Sequence, residues 1–462
     1  MDRIKNKRGR KDFMIILSFN CGSSSVKYQL YNWSKKEIIA KGIVERVTIG
    51  NSFCVHEVNH KEKVTIKHDC ITHKEAIKLI IDSLIHPEYG AIKDLSDITA
   101  VGHRVVHGGE KFSKSVIINQ EVIKTFKELA GLAPLHNPPN IMGIEAAMEL
   151  LPHIPHMAIM DTAWHQTMPD YVYTYAVPYQ WYEKYGIRRY GFHGTSLLYV
   201  AKRAAVLLGK DPFTCNLISC HIGNGVSINA VKNGLSYDTS MGFTPLEGAI
   251  MGTRAGDHDA ALDLYLMQKE GFSPEEMDTF LNKKSGILGI TEKYVDRRDV
   301  VKAATEGDKR AKLAIEMEAY RLKKYIGAYT AVLGRLDALI FTAGVGEMSS
   351  VIRAKVLEGL DILGIKYDPE KNRLAKTRNV ESDISALDSR VKIFIIPTDE
   401  ELVFVEDVIA LLEGTYDLHT NFKYTFQDPN YKNLMREKAF EKECKKNPEL
   451  SRIKHIRTNI IN

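Results

Sequence analysis

Residues 13–19 (FMIILSF) form an apolar run, interrupted only at Ser18, that stops at Asn20-Cys21-Gly22-Ser23-Ser24-Ser25, after which residues 26–31 alternate apolar and polar side chains with period two. A buried strand, a Gly/Ser turn and a half-buried strand predict a β-hairpin. The pattern returns far downstream. Leu217-Ile218-Ser219-Cys220 leads into His221-Ile222-Gly223-Asn224-Gly225, residues 226–231 alternate, and Lys232-Asn233-Gly234 turns the chain again. Placing Asn20 on His221, Cys21 on Ile222 and Gly22 on Gly223 aligns the two segments at a constant offset of 201. A repeat at that range predicts two related domains, not a solenoid.

Helical periodicity marks residues 74–84, 141–151, 274–281, 349–360 and the Ala/Leu-rich 300–333. Short apolar runs at 157–160, 338–341 and 391–396 predict strands. Strands alternating with helices predict an α/β protein.

Charge and composition then narrow the class. The chain has 462 residues, 44% hydrophobic and 26% charged, enough for two or three domains with their own cores. Its net charge of +5 is concentrated at the ends: residues 1–12 and 415–462 are each net +4, which leaves 13–414 slightly acidic. A basic balance confined to tails argues against a nucleic-acid-binding fold. Residues 1–12 and 418–462 have little apolar periodicity and are expected to lie outside the core as disordered extensions. The six cysteines show neither zinc spacing nor a disulfide framework, which suits reduced thiols in a cytoplasm. No apolar run is long enough for a bilayer, and the basic N-terminus lacks the apolar region of a secretory signal.

Two Gly/Ser/Asn turns in matching hairpins are candidate phosphate nests, because small side chains let backbone N–H groups approach anionic oxygens. A third Gly-rich turn, Thr342-Ala343-Gly344-Val345-Gly346-Glu347, follows a predicted strand and precedes a predicted helix. Polar groups are dense in the loops between. Arg104 sits among apolar neighbours before a Gly pair, His136 lies in a Pro-fixed turn, and Asp161 directly follows a strand. His193 and Arg254 occupy Gly-rich loops. Singly, each has an ordinary structural reading: a buried ion pair, a helix cap, a turn. Together they resemble a closed site that holds the charge of a transferring phosphoryl group.

Ten segments, in order, resemble the acetate kinase family of the acetate and sugar kinase/Hsp70/actin superfamily. They are NCGSSSVKYQL (20–30), GHRVVHGGE (102–110), LAPLHNPPN (132–140), DTAWHQTMP (161–169), RRYGFHGTS (188–196), HIGNGVSI (221–228), DTSMGFTPLEG (238–248), MGTRAGD (251–257), TAGVGE (342–347) and PTDEEL (397–402). The resemblance implies an α/β, duplicated ribonuclease-H-like fold of the actin/Hsp70 type, two domains with the active-site cleft between them. Residues 13–163 would form the acetate-side domain and 164–397 the nucleotide-side domain. Residues 398–417 would return to the first, and 1–12 and 418–462 would be basic extensions. It further implies a cytoplasmic homodimer with no nucleic-acid or membrane partner. The reaction would be a direct, in-line phosphoryl transfer interconverting ATP and acetate with ADP and acetyl phosphate, using Mg²⁺ with Mn²⁺ able to substitute.

Position by position, the resemblance implies catalytic roles for Asp161, His193, Arg254 and His136, and acetate binding by Arg104 within an apolar pocket of Val106, Leu135, Phe192 and Pro245. Nucleotide binding falls to Lys27, to the hairpin His221, Ile222, Gly223, Asn224 and Gly225, to Asp296, Arg297 and Arg298, and to the turn Gly344, Val345, Gly346, Glu347 and Met348. Asn20 and Glu400 would serve the metal. Met348 and Asp399 each stand where the family commonly has Asn, Leu197 stands for a His, and His258 and Ala260 alter the segment after the MGTR loop. The alternatives on this fold are a propionate or butyrate kinase, or a pyrophosphate-dependent acetate kinase. More remote is a non-catalytic nucleotide-dependent binding protein.

Overall fold

The computed structural model describes residues 14–132 and 137–455. The chain divides into two compact units. The first takes the chain up to Ala163 together with Glu400–Phe422; the second takes Trp164–Asp399 and the chain from Lys423 onward.

In the first unit the predicted hairpin forms from β1 (Ile15–Cys21) and β2 (Ser25–Asn32), antiparallel with Cys21 opposite Val26. There follow β3 (Glu37–Glu45), β4 (Phe53–Val58), β5 (Val64–Lys67), β6 (Ala100–Val105), β7 (Val116–Ile117) and β8 (His156–Met160). Among the described residues they make one sheet in the order β5-β4-β3-β2-β1-β6-β8-β7, with β1, β6 and β8 mutually parallel. The largely apolar character of β1 has a simple cause: both faces are covered. Ile15, Leu17, Phe19 and Cys21 pack with Ile77, Ile80 and Leu84 of helix His73–Leu84, while Ile16 packs with Phe404, Val405 and Val408 of helix Glu400–Glu413. The first of these helices starts at a capping box, in which Thr72 accepts from the Glu75 N–H and the Glu75 carboxylate reaches back.

The second unit repeats the plan. Its strands are β9 (Leu217–Ile222), β10 (Val226–Lys232), β11 (Leu235–Thr239), β12 (Ala338–Thr342), β13 (Ser382–Asp383) and β14 (Lys392–Ile395), in the order β11-β10-β9-β12-β14-β13. As β1 lies between antiparallel β2 and parallel β6, so β9 lies between antiparallel β10 and parallel β12, with parallel β14 beyond. The shared order β3-β2-β1-β6-β8 and β11-β10-β9-β12-β14 is the duplicated ribonuclease-H-like core. The two hairpins are not identical: the first closes over residues 22–25, the second over 223–225. The offset of 201 therefore holds for the leading strands and becomes 200 for the returning ones.

The predicted helix over 300–333 is two helices, Arg297–Thr305 and Lys309–Leu333. Gly307 at φ +103° turns the chain, and Asp308 caps the second helix by accepting from the Ala311 N–H at 3.0 Å. The expectation for the C-terminal segment is overturned. Residues 418–455 are ordered against the body, with Tyr424, Phe426, Phe440 and Ile453 buried. Phe426 stacks on Tyr424 and packs at a tilt against Tyr199, and its carbonyl accepts from Arg203. Isolated aromatics that insert singly carry no periodic signal, so the composition of the segment reads as disorder. Residues 1–12 and 456–462 lie outside the described residues. Among the described residues no helix is long and apolar enough to cross a membrane.

Candidate active site

In the first unit the site residues stand on adjacent strand ends. Asn20 near the end of β1 is directly opposite the exposed Lys27 on β2. Arg104 on β6 grips Asp161, the residue after β8, through two bonds: Nε to Oδ1 at 2.9 Å and Nη2 to Oδ2 at 2.6 Å. Asp161 is buried, whereas the Arg104 side chain is 28% exposed. The pair uses two of the five guanidinium N–H donors, and the carboxylate raises the affinity of Arg104 for its proton. Glu400 and Glu401, at the start of helix Glu400–Glu413, add to the negative field on Arg104.

Two asparagines brace these strand ends. Asn140 accepts from the Val106 N–H at 3.0 Å and donates to the Cys21 carbonyl at 2.7 Å, tying the GHRVVHGG segment to the first hairpin. Asn137 does the same at His107, accepting from its N–H and donating to its carbonyl.

In the second unit, side chains converge on the β9–β10 turn. His193 occupies the left-handed region at φ +57°, just before helix Gly194–Leu208. Its ring lies over that of His221, centroids 4.1 Å apart, and its Nδ1 is bonded to Ser227 Oγ at 2.9 Å. His221 Nδ1 is bonded to Ser196 Oγ, which in turn meets Thr398 Oγ1, both at 2.8 Å. A methyl group on Gly225 would stand 3.1 Å from His193 Cε1 and 3.2 Å from Arg254 Nη2. Only a bare backbone leaves that point open. Arg254 donates to the Pro245 carbonyl at 2.7 Å, and burial alone lowers its basicity. A guanidinium withdrawn from water beside a neutral carbonyl is a cation suited to an incoming anion. Phe192 is buried beside His193 in sequence.

A cavity of about 890 Å³ opens beside the same hairpin. Gly223 and Asn224 border it from the turn, Asp296–Arg298 from the next segment, and Gly344, Val345 and Met348 from the third Gly-rich turn. That turn is itself a short helix, Ala343–Met348, entered at Ala343 with φ +63°. Asp296 caps helix Arg297–Thr305; the Arg298 guanidinium and N–H pull its carboxyl down to about 2. Arg297 is buried and spends its fork on Glu318. Glu347 is buried, which raises its carboxyl above the usual range although it accepts from the Thr398 N–H at 3.2 Å.

The acetokinase family model matches residues 15–406. The acetate kinase of Geobacter sulfurreducens is 62% identical over 413 residues, covering 89% of this chain and 98% of that protein. That of Treponema pallidum is 57% identical over 441 residues, covering 95% and 98%. The crystal structure of Porphyromonas gingivalis acetate kinase superposes with a TM-score of 0.82 at 45% identity, over 86% of this chain and 100% of that one. The chain belongs to the acetokinase family.

As an acetokinase it is a phosphotransferase with a carboxyl group as acceptor. The residues singled out by the resemblance stand in three groups: Asn20, Lys27, Arg104, Val106, Asp161 and Glu400 in the first unit, Phe192, His193, His221–Gly225, Pro245 and Arg254 in the second, and the cavity residues. Leu135 and His136 lie outside the described residues. Reasoning from sequence missed Asn137, Asn140, Ser196 and Thr398, which orient acetokinase groups without being titratable or charged. It also missed Lys376 and Arg378 on the cavity wall. Of the departures from the family pattern, Met348 lines that cavity and Leu197 is fully buried in its helix. His258 bonds the Gly256 carbonyl and Asp263.

Proposed function

We propose that this chain transfers the terminal phosphoryl group of ATP to acetate, reversibly, in line and without a covalent enzyme intermediate, giving acetyl phosphate and ADP. The observation that carries this reading is Arg254: a half-buried guanidinium that donates to the Pro245 carbonyl and converges with His193 on a glycine of a phosphate-type hairpin. Donors fixed before reaction and aimed at developing charge are what an in-line phosphoryl transfer requires.

Arg104 takes the acetate carboxylate with the donors that Asp161 leaves unused, and Asp161 holds that fork in place. By the family resemblance, Val106, Leu135, Phe192 and Pro245 are assigned to the methyl group. His193, Arg254 and His136 donate to the phosphoryl oxygens as they gain charge. The hairpin His221–Gly225 cradles the nucleotide phosphates, the resemblance assigns Lys27 to the same nucleotide, and the 890 Å³ cavity takes the adenosine. A pyrophosphate donor would leave such a cavity without use.

The donor set suits Mg²⁺, with Mn²⁺ as substitute. Asn20 and Glu400 offer hard oxygens. Among the described residues no group of three His, Cys, Asp or Glu forms a protein-only cage. Mg²⁺ characteristically takes one or two protein oxygens and completes its shell with water and phosphate. When bound it neutralises phosphate charge.

Homodimerisation is supported by an exposed apolar stripe on helix Lys309–Leu333, where Leu313, Met317 and Tyr320 recur at helical spacing. A cytoplasmic location agrees with the free state of all six cysteines.

Hydroxylamine trapping of the acyl phosphate tests the reading: acetate, ATP and Mg²⁺ should yield acetyl hydroxamate. Propionate should react with a kcat/KM lower by about 10- to 200-fold, the discrimination one methylene allows. Turnover with pyrophosphate but not ATP, or none with acetate, would overturn it.

A further inference from the structure

The turn Pro397-Thr398-Asp399 leads directly into Glu400, and almost every polar group of it is engaged. On one side the Thr398 N–H donates to Glu347 Oε1 at 3.2 Å and Thr398 Oγ1 meets Ser196 Oγ at 2.8 Å. On the other side lies a residue from the C-terminal segment, beyond the family match that ends at 406. Arg436 donates from Nη1 to the Pro397 carbonyl at 2.9 Å and from Nη2 to the Thr398 carbonyl at 2.7 Å. Its Nη2 stands 3.7 Å from Asp399 Oδ2. Asn433 joins it, accepting from the Arg436 N–H as the cap of helix Leu434–Lys446 while donating to Asp399 Oδ2 at 3.1 Å.

We propose that Arg436 is a positioning residue for the phosphotransfer reaction: its fork clamps the Pro397–Asp399 turn that presents Glu400, and its charge offsets Asp399, the carboxylate that stands where the family commonly has an amide. The proposal rests on the assignment of Glu400 to the metal. A planar fork bridging two successive carbonyls fixes the turn in a way one ammonium cannot. Asp399, left without that cation, would be a partly buried charge one residue from a metal ligand. The C-terminal segment and the substitution at 399 are thus two halves of one device.

The test compares Arg436→Gln, Arg436→Lys, Asp399→Asn and the double variant Asp399→Asn/Arg436→Gln in the full-length enzyme, by steady-state kinetics, thermal unfolding and peptide hydrogen exchange over the 397–400 turn. Arg436→Gln should lower kcat by about tenfold to a hundredfold, the usual penalty for a misplaced catalytic group, with KM for acetate nearly unchanged. Exchange at the turn should accelerate in the same variant. The double variant should recover only the part of the lost rate due to the uncompensated carboxylate, since the fork stays missing, and Arg436→Lys should fall between. A kcat within about twofold of wild type in Arg436→Gln, unchanged exchange, or a double variant as slow as the single one would each overturn the proposal. Glu400→Gln separates the two readings: if it alone keeps full rate, the metal assignment fails, while exchange at the turn still decides the clamp.

Discussion

His193 and His221 lie ring over ring, 4.1 Å between centroids and 14° from parallel, each tied by its Nδ1 to a serine, Ser227 and Ser196 respectively. Because the serines fix both rings, the outward edge of His193 is held beside Gly225, where it meets Arg254.

Gly225→Ala is therefore expected to cripple turnover without unfolding the protein. The added methyl must push aside His193 Cε1 or Arg254 Nη2, each near 3 Å. We expect kcat to fall by about 10²-fold, the scale for one misaligned transition-state donor, with Tm close to wild type. A Gly225→Ala enzyme of normal kcat would remove this convergence from the mechanism.

Arg104→Lys keeps a positive charge but loses the two-pronged grip on Asp161. Its kcat/KM for acetate should drop by about 10²-fold while KM for ATP stays near wild type. Equal losses toward both substrates would argue for a general structural defect instead.

Much of this was legible in the residues. Period-two alternation disclosed both hairpins, and the Gly-rich turns marked the nucleotide side. Less visible were Asn137 and Asn140, because an asparagine beside Pro-Pro reads as a turn former; only folding brings Asn140 to the Cys21 carbonyl, 119 residues away in the chain. The one-residue difference between hairpin loops escaped for a related reason: a glycine-rich loop looks the same at three or four residues until strand pairing fixes its ends. The fate of the C-terminal segment was hidden because Tyr424, Phe426 and Phe440 follow neither a helical nor a strand period.

Removing metal by chelation should abolish turnover, and Glu400→Ala should raise the Mg²⁺ concentration for half-maximal rate. Titrating Mg²⁺ at fixed ATP measures both. An unchanged Mg²⁺ dependence in the variant would take Glu400 out of the metal shell.

Phe426→Ala should be costly for stability. The ring is fully buried against Tyr199 and Tyr424, so its loss is expected to cost about 3–5 kcal/mol in urea unfolding. A cost below about 1 kcal/mol would mean that this segment contributes little, as its composition first suggested.

Thiol chemistry offers an independent check on burial. Burial pushes Cys21 and Cys54 up to about 12 and Cys70 and Cys215 to about 11, and Cys220 is raised further. Only Cys444 is partly exposed. A disulfide reagent at pH 8 should release about one equivalent quickly from the native protein and all six after denaturation.

Helix Glu400–Glu413 supplies Phe404, Val405 and Val408 to the face of the first sheet formed by Ile16, Ala100, Met157 and Ile159. During synthesis that face is complete when residue 160 is made, yet its cover is encoded some 240 residues later. At about 5–20 residues per second the ribosome needs roughly 12–50 seconds to deliver it. The first unit therefore begins its life open-faced, and its cover arrives only after residues 164–399 of the second have been made. The interval is one in which a chaperone has an apolar surface to hold.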